Sequence, residues 1–179
     1  MEASAAMDPT TPNGKLVLVV DDEPGNLNLV ARLLHGRFQV QLAEGGQAAL
    51  DALRAPAGAD IAIVLCDSRM PGVSGSEVLA AAARERPDAV AVLLTAYPDI
   101  DALVSAVNRG SLFRYLSKPV ERDLLLSTLT EAAELHERRI QYRRVMERVQ
   151  RHQTPDPRGP ADPDGGGGGW FRSLFGGKP

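Results

Sequence analysis

The sequence predicts an α/β fold, a doubly wound sheet of five parallel strands in the order 2-1-3-4-5. Two observations carry this prediction. The runs 16–20, 61–66 and 89–94 are continuously apolar, which is typical of parallel strands that are covered on both faces. Helical patterns separate the strands along the chain, and strands that alternate with helices form parallel sheets. We therefore expect five successive strand–helix units.

The first two units can be followed along the chain. An apolar face within residues 27–34 predicts the first helix, and Gly36 marks its end. The second strand, 38–42, alternates strictly between apolar and polar residues, which predicts a strand with one less covered face, such as an edge strand. The helix around 48–53 is the least regular of the set, because Pro56 cuts it short.

The later helices follow the third and fourth strands. Apolar residues within 78–82 form one helical face. Ser74 and Glu77 precede this face at the spacing of a capping box, and Pro87 ends the helix. A further apolar face within 100–107 predicts the helix that follows the fourth strand.

Composition fits one domain with an extension. The 179 residues are 44% hydrophobic, which is enough for a core, and a net charge of −3 gives no electrostatic sign of nucleic-acid binding. Cys66 is the only cysteine, so an intrachain disulfide is impossible, and we expect a small buried side chain in a cytoplasmic protein. Residues 1–14 lack the core of a signal peptide and predict a disordered leader, and no run is long enough to span a membrane.

Polar residues stand where the predicted strands end. Asp21 and Asp22 follow the first apolar run, Asp67 follows the third strand, Thr95 follows the fourth, and Lys118 follows the segment 115–117. The carboxyl ends of parallel strands meet at one edge of a sheet, where open α/β sheets bind their ligands. We therefore expect three carboxylates, one hydroxyl and one ammonium to face the same small volume.

The chemistry of this set suggests phosphoryl transfer. Carboxylates without cysteine or histidine partners are hard oxygen ligands, which suit Mg²⁺, and a divalent cation with Lys118 would balance their charge. Thr95 and Lys118 would donate to a phosphoryl group, and an aspartate can itself accept that group as an acyl phosphate. The residues alone predict a Mg²⁺-assisted aspartyl phosphorylation site.

Four segments carry a resemblance to a known family. LVLVVDDEP, LCDSRMPGVSG, VLLTAYPD and RYLSKPV resemble the receiver domain of bacterial two-component response regulators, in order and at the usual separations, over about residues 15–129. The resemblance implies a flavodoxin-like receiver domain at 15–130. It also implies a response regulator that takes part in a phosphorelay, accepts a phosphoryl group from a sensor histidine kinase or a phosphotransfer protein, and is not an enzyme beyond its own autodephosphorylation.

The resemblance also assigns a role to each acidic residue. Asp67 would be the phosphoacceptor. Asp22 and Asp67 would bind Mg²⁺ directly, Asp21 mostly through a metal-bound water, and the backbone carbonyl of Arg69 would complete the protein ligands. Arg69 and Tyr97 occupy positions that tune hydrolysis of the acyl phosphate in this family.

Further roles concern the phosphoryl group itself. Thr95 and Lys118 would contact it, and the backbone amide of Ala96 would be a further donor. Tyr115 matches the aromatic switch position, whose side chain turns inward when Thr95 moves toward the phosphate. The peptide bond between Lys118 and Pro119 is expected to be cis.

Each residue of the set also has a simpler interpretation. Singly, the acids could be solvated loop residues, Thr95 a strand-end hydroxyl and Lys118 a surface lysine; the joint occurrence beside apolar runs favours the site. Tyr115 could be ordinary core, so its switch role depends on the resemblance alone.

A different enzyme class, an aspartate-based phosphatase, would require the pattern D-x-D after the first strand, where this chain has adjacent aspartates. The histidines have no partner pattern and are expected at the surface: His35, His136 and His152.

A helical pattern continues past the receiver domain, from about 121 to 150, and includes an extension at 131–152. Six arginines and three glutamates make residues 134–152 polar and mildly basic. Nucleic-acid binding is nevertheless not expected, because nothing that follows resembles a DNA-binding module. Apolar residues at intervals of seven form a partial coiled-coil seam, interrupted by Glu131 and Arg138. The extension is thus either a solvated stalk or a homodimer contact; the seam consists of Leu135, Tyr142, Val145 and Val149.

The last 27 residues change character twice. Residues 153–169, rich in proline and glycine, predict a disordered linker. Residues 170–179 then become aromatic, and a helix would place their apolar side chains on one face. Their burial would gain about as much free energy as ordering the segment costs, so a single copy should bind only weakly to a partner groove or a membrane. This docking motif consists of Trp170, Phe171, Leu174 and Phe175.

Two outputs of different class follow from the sequence. In the first, the protein is a stand-alone phosphorylated switch without a separate output domain, and its receiver surface engages a downstream target. In the second, it is a localisation or scaffold adaptor that is recruited through the WFRSLF motif, with the receiver as its regulator. Deleting residues 170–179 would separate them, because only the adaptor would lose its cellular position.

Overall fold

The computed structural model of the protein describes residues 14–96 and 112–153. The chain divides into two units, 1–143 and 144–179, and each is described by itself. The leader, the predicted helix over 100–107, Tyr97, and the linker and docking motif from 154 onward lie outside the described residues.

The first unit contains a sheet of five described strands, β1 (Leu16–Asp21), β2 (Gln39–Glu44), β3 (Ile61–Asp67), β4 (Val90–Thr95) and β5 (Arg114–Ser117). They pair in the order β2-β1-β3-β4-β5, and every pair is parallel. The prediction of a doubly wound sheet in the order 2-1-3-4-5 is therefore confirmed. The register aligns the ends of neighbouring strands, since Asp67 lies opposite Leu94 and Thr95 lies opposite Ser117.

The described helices are α1 (Pro24–Leu34), α2 (Gly45–Arg54), α3 (Gly75–Glu85) and α4 (Arg122–Gln153), and a short 3-10 helix spans Pro56–Asp60. Gly36 follows α1 with a φ of 74°, a left-handed conformation that ends a helix at low cost for glycine. The capping box at the start of α3 is confirmed: Glu77 N donates to Ser74 Oγ, and Ser74 N donates to the Glu77 carboxylate.

Two hydrophobic cores lie on the two faces of the sheet, which explains why its central strands are continuously apolar. All seven residues of β3 are buried. One core packs α1 and α4 against the sheet, and the other packs α2 and α3 against it. Cys66 is a buried member of the second core, as predicted.

The second strand is an edge strand, as its alternating pattern predicted. The alternation itself is only partly realised. Phe38 is buried and Val40 is half-buried, but Leu42 is exposed and the next residue, Ala43, is buried instead. Near the end of β2 the buried position is therefore shifted by one residue, from Leu42 to Ala43.

The helix α4 spans Arg122–Gln153 along the chain, and its residues up to 143 belong to the first unit. Within the first unit Leu135 packs against the core, so this member of the predicted seam contacts its own domain, whereas Tyr142 is exposed. In the second unit, residues 144–153 are helical, and Val145, Met146 and Val149 are exposed. None of the helices in the described parts of the chain is long and apolar enough to cross a membrane.

Candidate functional site

The sheet gathers the predicted polar residues at its carboxyl edge. Asp21 ends β1, Asp67 ends β3 and Thr95 ends β4. These three residues are buried, with 3%, 7% and 2% of their surface exposed. They come from three neighbouring strands of a parallel sheet, so the fold alone brings them to one place.

Lys118 joins the two buried carboxylates. Its Nζ lies 2.8 Å from Asp21 Oδ2 and 2.6 Å from Asp67 Oδ1. Burial lowers the pKa of Lys118, but its hydrogen bonds to Asp21 and Asp67 outweigh burial and raise that pKa above its usual value. The lysine is therefore a fixed positive charge between two like charges that would otherwise repel each other.

The main chain holds Lys118 in this position. Its backbone N–H donates to the carbonyl of Thr95 at 2.8 Å, which continues the pairing of β4 with β5 by one residue. The peptide bond between Lys118 and Pro119 is cis, as the sequence predicted. The main chain of Lys118 thus lies directly beside that of Thr95 at the carboxyl edge.

The remaining carboxylate oxygens accept local donors. Asp21 Oδ1 accepts from the backbone N–H of Glu23 at 2.9 Å and from Asn26 Nδ2 at 3.0 Å. Asp67 Oδ2 accepts from the backbone N–H of Arg69 at 3.1 Å. Sequence reasoning missed Asn26, although an amide five residues after Asp21, in the first turns of α1, could have been noticed.

The main chain around Asp67 is fixed from two sides. The N–H of Ser68 donates to the carbonyl of Leu94 at 2.8 Å, beyond the last pair of β3 and β4. The Cys66 thiol donates to the Asp67 carbonyl at 3.2 Å. Burial, followed by the charges of Asp67 and Asp21, raises the pKa of that thiol, so Cys66 stays a neutral core side chain.

The other predicted site residues differ in exposure. Asp22 is half-buried beside the site, whereas Arg69 and Ala96 are exposed. Tyr115 is 46% exposed on β5, so the simpler interpretation of this residue as ordinary core is wrong. The buried Thr95 lies opposite Ser117, two positions along β5 from Tyr115.

The carboxyl edge carries oxygen donors of the kind that Mg²⁺ prefers. Among residues 14–96 and 112–153, no three histidine, cysteine, aspartate or glutamate side chains converge in an arrangement that could hold a metal ion. The Lys118 ammonium instead lies between the two buried carboxylates. The donor set nevertheless has the chemistry of a hard-cation site, because two buried carboxylates outnumber one ammonium and all the donors are oxygens.

The opposite, amino edge of the same sheet carries a second polar cluster, contributed by α4. His136 Nδ1 donates to the carbonyl of Asp88 at 2.9 Å, and Arg139 Nη1 donates to the carbonyl of Ala89 at 2.8 Å. Arg143 Nη2 forms an ion pair with Asp88 Oδ2 at 2.6 Å. These contacts all meet the chain just before β4, and we call the three α4 residues with Asp88 and Ala89 the amino-edge clamp.

The clamp corrects one prediction about the histidines. His35 is exposed, as expected, but His136 is only 7% exposed. Burial lowers the pKa of His136, and the nearby Lys15 lowers it further, against the raising influence of Asp88 and Glu137. The hydrogen-bond partner of His136 is the main-chain carbonyl of Asp88, and a carbonyl leaves no mark in a sequence. The side chain of His152 is outside the described residues.

The clamp also borders a cavity of about 590 Å³. Its lining includes oppositely charged side chains, and Lys15 Nζ pairs with Glu137 Oε2 at 2.6 Å next to it. Arg86 donates from Nε and Nη2 to the carbonyls of Leu53 and Ala55, so this cation is also engaged within the fold. The cavity thus has a balanced charge, unlike the acidic carboxyl edge.

Comparisons with known proteins agree with the fold. A model of the response regulator receiver domain matches residues 17–130. The hydrogenase transcriptional regulatory protein HoxA of Cupriavidus necator is 33% identical over 119 residues, which are 66% of this chain and 24% of that protein. The transcriptional regulatory protein ZraR of Klebsiella oxytoca is 37% identical over 117 residues, which are 65% of this chain and 26% of that protein. The chain thus spans about a quarter of the length of these relatives.

Solved structures give the same result. A CheY-like response regulator receiver domain protein from Methanospirillum hungatei JF-1 superposes with a TM-score of 0.64 at 25% identity, covering 70% of this chain and 98% of that one. A structure described as an adenylate cyclase from Rhodopirellula baltica superposes with a TM-score of 0.69 at 28% identity, covering 75% of this chain and 98% of that one.

Proposed function

The chain belongs to the response regulator receiver domain family, and on that premise we propose that it accepts a phosphoryl group on Asp67 in a Mg²⁺-dependent phosphorelay. The donor is the phosphohistidine of a sensor histidine kinase or of a phosphotransfer protein. One observation supports this proposal above the others. Asp67 is a buried carboxylate at the end of the central strand, with an ammonium 2.6 Å away and a second buried carboxylate beside it.

The proposed reaction makes Asp67 the nucleophile. A carboxylate oxygen of Asp67 attacks the phosphorus atom of the phosphohistidine, and an O–P bond forms while the P–N bond breaks. The imidazole leaves with the electron pair of the broken bond and takes up a proton. The product is an acyl phosphate on Asp67, which water later hydrolyses to inorganic phosphate without a further enzyme.

The proposed cofactor is Mg²⁺, because carboxylate and carbonyl oxygens are the ligands that it prefers. The carboxylates of Asp22 and Asp67 and the backbone carbonyl of Arg69 would hold it, and Asp21 would reach it through a bound water. When bound, Mg²⁺ supplies positive charge for the oxygens of the transferred group. The other steps depend on the residues of the chain.

Lys118 and Thr95 are proposed to bind the transferred group. The Lys118 ammonium lies within hydrogen-bond distance of Asp67, so it can pair with a phosphoryl oxygen carried by the same side chain. The Thr95 hydroxyl, at the end of the neighbouring strand, and the Ala96 amide would donate to the other oxygens. Movement of Thr95 toward the phosphoryl group would leave space for the exposed ring of Tyr115 to turn inward, which is the proposed signal.

The recipient of that signal is proposed to be a partner protein. No output domain is needed for this proposal, because a changed surface near β4 and β5 can itself alter the affinity for a partner. The homodimer contact through α4 and the adaptor role of the WFRSLF motif stay predictions from the sequence.

The proposal is tested by replacing the phosphoacceptor. We expect acetyl phosphate with Mg²⁺ to label the wild-type chain, and Asp67→Asn to abolish the label because the amide is not a nucleophile for this reaction. Asp60→Asn is the matched control, since Asp60 is an exposed aspartate just before β3, at the other end of the same strand. Equal labelling of Asp67→Asn and wild type would contradict the proposal, and labelling of Asp60→Asn at the wild-type rate is required.

A further inference from the structure

We infer that Gly75 is a positioning residue for the reaction at Asp67, because its lack of a side chain lets the start of α3 lie directly against the main chain of the phosphoacceptor. This inference rests on the proposed function and deepens it. It identifies what fixes the reacting carboxylate in place, in addition to the groups that contact it.

The first step is a steric one. A Cβ atom added at Gly75 would lie 2.1 Å from the carbonyl oxygen of Asp67 and 3.0 Å from its carbonyl carbon. Real Cβ contacts essentially never fall below 3.0 Å, so something must move. The neighbour is main chain at the end of the buried strand β3, and no flexible side chain is present to yield.

The second step connects this contact to the carboxylate. The N–H of Gly75 donates to the carbonyl of Ser68 at 3.3 Å, which closes the loop 68–74 onto the strand end. The same short stretch supplies the Arg69 N–H that holds Asp67 Oδ2. A clash at Gly75 would be relieved by a shift of the strand end and the loop 68–74. That shift would move the Asp67 carbonyl and also the Arg69 N–H that donates to the Asp67 carboxylate.

The third step concerns the partners of Asp67. Asp21 belongs to β1 and Lys118 follows β5, so neither is attached to the loop 68–74 and neither would move with it. A shift of roughly 1 Å at Asp67 would change its distances to both, and misplacement of a reacting group by that amount can cost about 100-fold in rate. Phosphoryl transfer depends largely on positioning, which makes it sensitive to such a shift.

A second glycine, Gly46, lies in close contact with the far end of the same loop. A Cβ atom at Gly46, in the first turn of α2, would lie 2.4 Å from the carbonyl oxygen and 2.6 Å from the Cβ atom of Val73. The loop 68–74 is thus confined between α2 and α3. Because Val73 lies further along the chain from Asp67, we expect a smaller effect at Gly46 than at Gly75.

The chain offers a matched control for loss of stability alone. A Cβ atom at Gly58 would lie 2.3 Å from the carbonyl oxygen of Ala52, which is as severe a clash with main chain as the one at Gly75. Gly58 belongs to the 3-10 helix before β3, so it lies at the other end of the strand that carries Asp67. Gly58→Ala should destabilise the fold without moving the phosphoacceptor.

The experiment compares full-length Gly75→Ala, Gly46→Ala, Gly58→Ala and wild type. The rate constant for phosphorylation by acetyl phosphate with Mg²⁺ is measured per folded molecule, with the folded fraction taken from circular dichroism at the same temperature. We expect Gly75→Ala to be slower by about 100-fold and Gly46→Ala by about 10-fold. Gly58→Ala should melt at a lower temperature and react at the wild-type rate.

The outcomes separate the inference from the proposed function. Equal rates for Gly75→Ala and Gly58→Ala, per folded molecule, would overturn the positioning role while leaving Asp67 as the phosphoacceptor. If Gly75→Ala does not fold, Gly46→Ala decides: a rate equal to that of Gly58→Ala overturns the inference, and a slower rate supports it. A wild-type chain that takes no label overturns the proposed function, and the inference with it.

Discussion

The two edges of the sheet are built from the same kinds of polar residue and differ in what those residues bind. At the carboxyl edge, side chains meet side chains: Lys118 joins Asp21 and Asp67, and Thr95 is buried next to them. At the amino edge, side chains of α4 mainly meet main chain: His136 and Arg139 donate to carbonyls just before β4, beside the ion pair of Arg143 with Asp88 in the clamp. The first arrangement concentrates charge, and the second satisfies backbone acceptors.

This difference separates the proposed reaction site from a structural cluster. Two buried carboxylates held by one ammonium keep an excess of negative charge, which a divalent cation or an incoming group with donors can use. The amino edge carries no comparable excess of negative charge, because its acids Asp88 and Glu137 are paired with Arg143 and Lys15. We therefore expect changes at the carboxyl edge to alter the chemistry and the response to Mg²⁺ as well as stability, and changes at the amino edge to alter stability alone.

The largest effect is expected from removing the clamp. Truncation after residue 135 deletes all three α4 residues of the clamp and the partner of Lys15. We expect the free energy of unfolding to fall by about 3–5 kcal/mol, because several hydrogen bonds are lost and carbonyls before β4 are left unpaired. Urea denaturation measures this change.

A second truncation is the control for the first. Truncation after residue 143 removes the whole second unit but keeps the clamp, so its stability should stay within about 1 kcal/mol of the full chain. Equal stability of the two truncated chains would contradict a structural role for the clamp. It would also show that residues 136–143 add nothing to the free energy of unfolding of the domain.

The same substitution at both edges gives the next effect. Lys118→Met leaves two buried carboxylates without their cation, and we expect a loss of about 3 kcal/mol in the free energy of unfolding without Mg²⁺. Lys15→Met breaks a more exposed pair at the amino edge and should cost about 1 kcal/mol or less. Added Mg²⁺ should restore part of the loss in Lys118→Met and none in Lys15→Met; an equal response of both variants to Mg²⁺ would break the distinction between the edges.

The smallest effect is a dependence on pH at the amino edge. Because the folded-state pKa of His136 is lowered from 6.5, the unfolded chain binds the proton more readily than the folded chain does. The contribution of His136 to stability is therefore complete above pH 6.5 and is lost as the pH falls through its folded-state pKa. Urea denaturation between about pH 5 and pH 8 should show a shallower pH dependence for His136→Gln than for wild type.

An exposed histidine provides the comparison for this measurement. His35 lies just after α1 and is exposed, so His35→Gln should retain the wild-type pH dependence. If the free energy of unfolding of His136→Gln depends on pH as steeply as that of wild type, groups other than His136 cause the loss of stability in acid. Asp88, Glu137 and Lys15 are the charged neighbours that would then be examined first.

These two edges also show what a sequence can predict. Asp21, Asp67 and Thr95 each end a buried apolar strand, so strand order and the polarity of strand ends were enough to bring them together. The strand order itself followed from the alternation of strands with helices. Lys118 was found in the same way, although β5 is short, because a lysine directly after a strand is conspicuous.

The amino edge could not be predicted for a physical reason. His136 was expected at the surface because it has no acidic or cysteine partner at a recognisable spacing. Its actual partner is the carbonyl of Asp88, 48 residues away, and every residue type has a carbonyl. Asn26 was missed for a related reason, since an amide in a helical turn has many uses. The contact of Gly75 with the Asp67 carbonyl likewise depends on the exact approach of α3 to β3, which no pattern of residue types reports.

The central claim is that the phosphoryl group is carried by Asp67, and locating that group tests it most directly. Borohydride reduces an acyl phosphate and leaves homoserine at the phosphorylated aspartate, which peptide mass spectrometry can assign to a position. After treatment of the full chain with acetyl phosphate and Mg²⁺, we predict homoserine at position 67 alone. Homoserine at position 21 or 22, or a labelled chain with aspartate intact at 67, would contradict the claim.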